Sequence, residues 1–267
     1  MRSAVVLKQS GVSDVLRFSK GIAILLIAFH HFARSFWLAR GVAIPNLMQW
    51  RFLPSGENFH QEVMEFSAGQ YSQVVLRLFA QFGYFGVHIF ILMSGLGLAF
   101  GTRSTVKPGA FMQRRFRKLI PPFWTSVVFF VAFRQIIGQP YTMREILERA
   151  TLLTTFDQAR FFSVDPPLWC LAVFIQLYVL FLPVRWLISR YGPRVILVLA
   201  AVAFAARWIT CLPAIANWNV DFGHALALNW LAVFGIGVWA GDKLRNEGKL
   251  EIPMPVFAGS MLIASAL

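Results

Sequence analysis

"KGIAILLIAFHH", residues Lys20 to His31, is the stretch on which the fold turns. A lysine opens a row of nine apolar or small residues, and two histidines close it. Such a row suits the hydrocarbon of a bilayer. An ionisable side chain is expensive there and is kept mainly where it faces a bundle interior or a water-filled cavity. The stretch therefore predicts a transmembrane helix and makes its lysine and histidines the first candidates for chemistry.

Composition points the same way along the whole chain. Of 267 residues, 57% are hydrophobic and 14% charged, with a mean hydropathy of +0.61. Ordinary soluble domains are about 45–50% apolar and about one quarter charged. Phe alone occurs 27 times and Trp 9 times. This is the composition of a polytopic membrane protein, one domain over residues 1–267. The formal net charge of +13 is read by position. Lys and Arg gather between apolar spans, as the positive-inside rule requires, and not as a nucleic-acid surface. Cys170 and Cys211 have no metal-ligand spacing, and no metal site or Ser-His-Asp arrangement is readable.

Seven spans are expected, at 20–38, 78–101, 119–137, 168–188, 194–212, 225–241 and 253–267. The first reads as a retained signal-anchor helix, because no small-residue cleavage site follows it closely. The seventh is short. Fifteen helical residues cover only ~22 Å of a ~30 Å core, so the chain is expected to be a fragment of a longer protein. With the N-terminus inside, most of the Lys and Arg fall on the inner side, including Arg103, Lys107, Arg185, Arg190 and Arg194. Most acidic residues fall on the outer side, among them Glu57, Glu145, Glu148 and Asp157. Two long outer segments, 39–77 and 138–167, join the spans, and "NFHQEVMEFSAGQYSQVV" (58–75) reads as a surface helix.

All twelve acidic residues can be placed outside these spans. Ion-coupled transporters commonly keep a carboxylate at mid-membrane, whereas this chain offers His30, His31 and His88. On a helix, eleven residues bring Lys20 and His31 to within ~20° of one face, ~16 Å apart along the axis. Arg17 lies ~40° from that face, and His30 points ~100° away from His31. Arg17, Lys20 and His31 can thus line one cavity, with cations at its mouth and an imidazole deeper in. For the lysine taken alone, a topology signal is the stronger reading. His88 falls near the depth of His31 and fits either a structural hydrogen bond or a site role. Gly83, Gly86, Gly95 and Gly97 read as packing glycines.

A second candidate is "FMQRRFRKLIPPFW", Phe111 to Trp124. Arg114, Arg115, Arg117 and Lys118 directly precede an expected span. They fit an orientation signal and acidic headgroups, or a phosphate site, since guanidinium groups hold phosphate oxygens well. Pro121 and Pro122 suit the first turn of that span.

Together these pieces resemble the membrane-bound acyltransferase-3 family, which O-acetylates polysaccharides and related envelope molecules. The resemblance runs from residue 14 to about 241. It rests on the Lys20–His31 spacing, "FGVHIFILMSG", "RRFRKLIPPFW", "LWCLAVFIQLYVLFLP" and "FGIGVWAG", in the family's order. Lys20 stands where Arg is commoner, which keeps the charge and loses bidentate phosphate contact. Phe174 and Ile175 stand where many relatives carry glutamates. Relatives have about ten spans, consistent with the expected truncation.

The resemblance implies an all-α polytopic helix bundle that transfers an acyl group, most simply acetyl, across the membrane. Acyl-CoA would be the donor substrate, with no bound cofactor. Its phosphates would lie on Arg17, Lys20, Arg114, Arg115 and Lys118. The acceptor would be a hydroxyl of an extracytoplasmic polysaccharide or its lipid-linked precursor, with His88, Trp169, Gln176 and Tyr178 on the acceptor side or bracing the site. His31 would be the general base, near-neutral in pKa and able to take a hydroxyl proton. A transient acyl-histidine is the alternative chemistry. The rivals are a glycan transporter or flippase and a non-catalytic subunit of an envelope-assembly complex. The expected location is the bacterial inner membrane, with the N-terminus cytoplasmic.

Overall fold

A computed structural model of the chain describes residues 4–39, 85–102, 106–152, 168–210 and 226–253. These are almost entirely helical. In chain order they form strand β1 (Ala4–Lys8), helices α1 (Val12–Ala39), α2 (Phe85–Gly101), α3 (Pro108–Ile136), α4 (Met143–Ala150), α5 (Leu168–Tyr191), α6 (Val195–Thr210) and α7 (Leu231–Glu247), and strand β2 (Lys249–Pro253). Helices α1, α2, α3, α5, α6 and α7 fall at six of the seven positions where spans are expected. The seventh, apart from Pro253, lies outside the described residues, as do Gly83, Cys211 and the surface helix expected at 58–75.

Among the described residues, two stretches are long and apolar enough to cross a membrane, Pro108–Ile136 and Cys170–Ala206. The second is two helices, α5 and α6, joined by a 3-10 turn at Gly192–Arg194. Gly192 has φ +74° there, a left-handed conformation that costs glycine little because it has no Cβ. Helix α3 is clothed outward in large apolar groups. Trp124, Val128, Phe129, Phe133 and Ile136 are exposed, while Phe111, Phe123 and Val127 are its buried residues. Such a surface is unfavourable in water and correct in lipid.

The helices differ from expectation at their ends. Helix α3 begins at Pro108, eleven residues before the expected span. The basic group Arg114–Lys118 is therefore inside the helix and does not precede it. Pro108 takes the first helical position, where its missing N–H is not needed. Pro121 and Pro122 are interior. They cannot donate to the carbonyls of Arg117 and Lys118, a loss that membrane helices tolerate where nearby groups re-satisfy the backbone. Thr125 Oγ1 donates to the Pro121 carbonyl at 2.9 Å in this region.

The chain divides into two compact units, residues 1–100 with 239–267, and residues 101–238. In the first, β1 pairs antiparallel with β2, from Ala4 opposite Pro253 to Lys8 opposite Lys249. Below this sheet Val12, Leu96, Ala240, Leu244 and Leu250 form a buried cluster. Helix α2 is held closely on two sides. A Cβ on Gly86 would lie 2.6 Å from the Ala23 carbonyl oxygen of α1, and one on Gly241 would strike the Leu96 carbonyl oxygen. The expectation that glycines set close helix packing holds at Gly86.

In the second unit, Phe123, Val127, Leu152 and Ala172 form a cluster that ties α3 to α5. Gly235 of α7 admits Leu199 of α6, whose Cδ1 would be 2.5 Å from an added Cβ.

Candidate functional site

The first unit carries the histidines and Lys20. Helix α1 runs unbroken from Val12 to Ala39, so Lys20 and His31 lie on the shared face that the spacing predicts. Lys20 is half-buried. Its Nζ is 5.8 Å from the ring centroid of Phe90 on α2, near enough for a cation–π attraction. Gly97, also on α2, lies beneath it. A Cβ there would sit 3.9 Å from Lys20 Nζ and 3.5 Å from Leu16. Phe90 and Gly97 therefore shape a seat for the ammonium group.

His31 is half-buried, whereas His30 is only 9% exposed. This is the difference that their ~100° separation predicts. The two rings meet edge to face, with centroids 5.4 Å apart. His30 is thus a packing neighbour of His31 itself. His88 is buried in α2, 6.1 Å from the Phe85 ring. Arg17 sits apart from Lys20 in character. It is exposed and lies 3.6 Å from the equally exposed Asp14.

The second unit carries the basic helix turn. A cleft of about 920 Å³ opens along the start of α3, lined by Thr102, Lys107, Phe111, Arg114, Arg115 and Lys118, among others. Ligand sites of this kind commonly measure roughly 300–1,000 Å³. Arg114 is exposed, with Nε donating to the Ala110 carbonyl at 3.2 Å. Arg115 is half-buried and rests on two rings, 5.3 Å from Phe111 and 5.9 Å from Tyr178.

The partner surface comes from α5. Tyr178, Phe181 and Arg185 recur at helical spacing, so they present one stripe toward Phe111 and Arg115, which are four residues apart on α3. Phe181 stacks on Phe111 with centroids 5.1 Å apart and meets Phe234 of α7 edge to face at 6.4 Å. Arg185 lies 5.8 Å from the Phe181 ring, and its Nη1 donates to the Thr102 carbonyl at 2.7 Å. One wall of the cleft is thereby tied to α5. Sequence reasoning assigned Arg185 to topology alone. The signal was available, because Arg185 follows Tyr178 and Phe181 on one helical face.

Gln176 is a polar side chain in an apolar helix and needs hydrogen-bond partners, which it has. Its Oε1 accepts from the Ala227 N–H at 3.0 Å, and its Nε2 donates to the Ala172 carbonyl at 3.2 Å. Ala227 begins the 3-10 turn Ala227–Trp230 that leads into α7. Gln176 therefore braces the entry of α7 in this unit. Tyr178 contacts Arg115, so it stands with the basic cleft. Trp169 belongs to α5, and its side chain lies outside the described residues.

A family model of an acyltransferase domain, acyltransferase-3, matches residues 15–267. No curated protein and no solved structure matches the chain. The match begins within the first turn of α1, so it takes in Lys20 and His31, the basic cleft of α3 and the Gln176 brace of α5. With its long apolar helices and lipid-suited outer surface, this integral membrane protein belongs to the acyltransferase-3 family and is an acyltransferase.

Proposed function

We propose that the enzyme transfers an acyl group, most simply acetyl, from acyl-CoA to a hydroxyl of an extracytoplasmic polysaccharide or its lipid-linked precursor. The observation that carries this reading is helix α1. It is unbroken across Lys20 and His31, with the ammonium seated at Phe90 and Gly97 and the imidazole ~16 Å along the same face. A long anionic thioester fits such a face, with charge met at one end and a base offered further along.

Each unit taken by itself offers cations that suit the donor's phosphates, Lys20 with Arg17 in the first and Arg114, Arg115 and Lys118 in the second. Arg115 is the best prepared of these, because two rings and partial burial limit the freedom it would lose on binding. His31 Nε2 or Nδ1 would take the proton of the acceptor hydroxyl as its oxygen attacks the thioester carbonyl. The C–S bond then breaks, and coenzyme A leaves as a thiolate that is reprotonated. His88 and Trp169 would stand on the acceptor side.

The seven-span bundle belongs to the same proposal and is supported by helices at six of the expected positions. The inner bacterial membrane and a cytoplasmic N-terminus are supported by the placement of basic residues between spans. Radiolabelled acetyl-CoA supplied to sealed inverted membranes tests the reading. Label should pass to glycan when the parent chain is present and not when His31→Ala replaces it. Label that stays in acetyl-CoA with the parent chain, while unmodified glycan crosses the membrane, would establish a transporter.

A further inference from the structure

Helix α4 is built inside out for a helix on a water-exposed surface. Its apolar edge faces outward, with Met143 70% and Leu147 58% exposed. On the opposite side Arg149 turns toward the protein and is only 3% exposed. The Arg149 guanidinium lies 3.8 Å from the Tyr141 ring and donates through Nη1 to the Glu145 carbonyl at 2.9 Å.

This rotation is fixed at both ends. At the start, the Glu145 carboxylate accepts from the Thr142 N–H at 2.8 Å, and Thr142 Oγ1 accepts from the Glu145 N–H. At the far end Leu152, held at φ +63°, is buried among Phe123, Val127 and Ala172. A non-glycine residue in that region is uncommon and persists where the surroundings over-determine it. The outward apolar edge is therefore a property of the fold.

What covers that edge follows from its neighbour. Helix α3 shows lipid-suited side chains along its length, and this surface continues at its end through Ile136, 81% exposed, and Ile137. Helix α4 starts seven residues after α3 ends and packs on it. We propose that α4 lies in the membrane interface of the leaflet where α3 ends, with Met143 and Leu147 in lipid and Arg144 at the headgroups. Interfacial helices place their apolar face about 5–10 Å into the headgroup and acyl boundary. Arg144 is exposed and bonds Glu148 at 2.7 Å, which suits that border.

The test uses the full chain in vesicles of phosphatidylcholine and phosphatidylglycerol, with Cys170 and Cys211 replaced by alanine. Nitroxides are attached at Met143→Cys, Leu147→Cys and Arg144→Cys. Their collision rates with oxygen and with a water-soluble nickel chelate are compared. The oxygen-to-nickel ratio should be severalfold higher at 143 and 147 than at 144. Equal ratios at the three positions would place the edge in water and overturn the proposal. Exclusion of both reagents at 143 and 147 would place it against protein and overturn it equally. Should the cysteine-free chain fail to insert, Leu147→Trp and Arg144→Trp are made in the parent chain, and the quenching by brominated lipid that each adds to that of the parent's nine tryptophans gives the same comparison. Quenching no greater at 147 than at 144 overturns the proposal.

Discussion

The guanidinium of Arg115 lies 5.9 Å from the ring of Tyr178, so a cation on α3 is held on an aromatic surface supplied by α5. Phe111 supplies a second ring at 5.3 Å. A cation placed this way is oriented before any anion arrives. Cation–π contacts contribute about 0.5–1 kcal/mol when exposed and ~2 kcal/mol or more when desolvated. Tyr178→Leu should therefore weaken acyl-CoA binding by roughly two- to thirtyfold, and Tyr178→Phe should leave it nearly unchanged. Arg115→Ala should weaken binding further, and the penalty should shrink for a donor lacking phosphate groups. Equilibrium binding of a non-hydrolysable acyl-CoA analogue to inserted protein measures this. Unchanged affinity in Arg115→Ala would reduce the cluster to a topology signal.

Arg185 acts on the same cleft from a distance. It holds the Thr102 carbonyl at 2.7 Å and lies against Phe181, which stacks on Phe111. Hydrogen bonds to charged groups contribute about 1.5–3 kcal/mol. Arg185→Leu should raise KM for acyl-CoA about tenfold or more, with kcat little changed. Arg185→Lys should recover part of the loss. A purely structural role would instead lower the amount of inserted protein without moving KM.

The described apolar helices were legible in the chain because apolar runs of bilayer length report helices directly. The helix ends were not. Hydropathy registers the hydrocarbon-facing portion, whereas α3 continues through Arg114, Arg115, Arg117 and Lys118, residues that are good helix formers but poor lipid solutes. The same effect placed Pro121 and Pro122 at a helix start when they are interior. The β1–β2 sheet was invisible because its strands are five residues each and lie at opposite ends of the chain. In the candidate site, the shared face of Lys20 and His31 follows from spacing alone, since α1 is unbroken. The aromatic support of Arg115 does not, because it depends on which stripe of α5 faces α3. No periodicity within one helix states that.

Gln176 joins α5 to the turn before α7 through the Ala227 N–H. Gln176→Leu removes that acceptor while keeping the volume apolar, and it leaves a buried N–H unsatisfied at a cost of about 1–3 kcal/mol. The variant should insert normally, melt at a lower temperature in detergent and turn over more slowly. A melting temperature and a turnover rate equal to those of the parent would show that the bond is dispensable.

The sharpest prediction concerns the paired histidines. His31 shares the face of Lys20 and is half-buried, while His30 is buried and meets the His31 ring at 5.4 Å. If His31 is the base, His31→Ala should lower acyl transfer by ~10²–10⁴-fold without loss of insertion, the usual cost of removing a general base. His30→Ala should cost much less in rate, and part of its effect should be on stability, because it opens space beside His31. His30→Phe should restore much of that loss by filling the space with another ring. Lys20→Ala should raise KM for the donor, while Lys20→Arg should be tolerated, since charge is what the seat at Phe90 and Gly97 accommodates. Acetylation of glycan by membranes carrying each variant at matched protein level is the measurement. An active His31→Ala chain, or a dead His30→Phe beside a live His31→Ala, would move the base to another residue and remove the mechanistic meaning of the shared helix face.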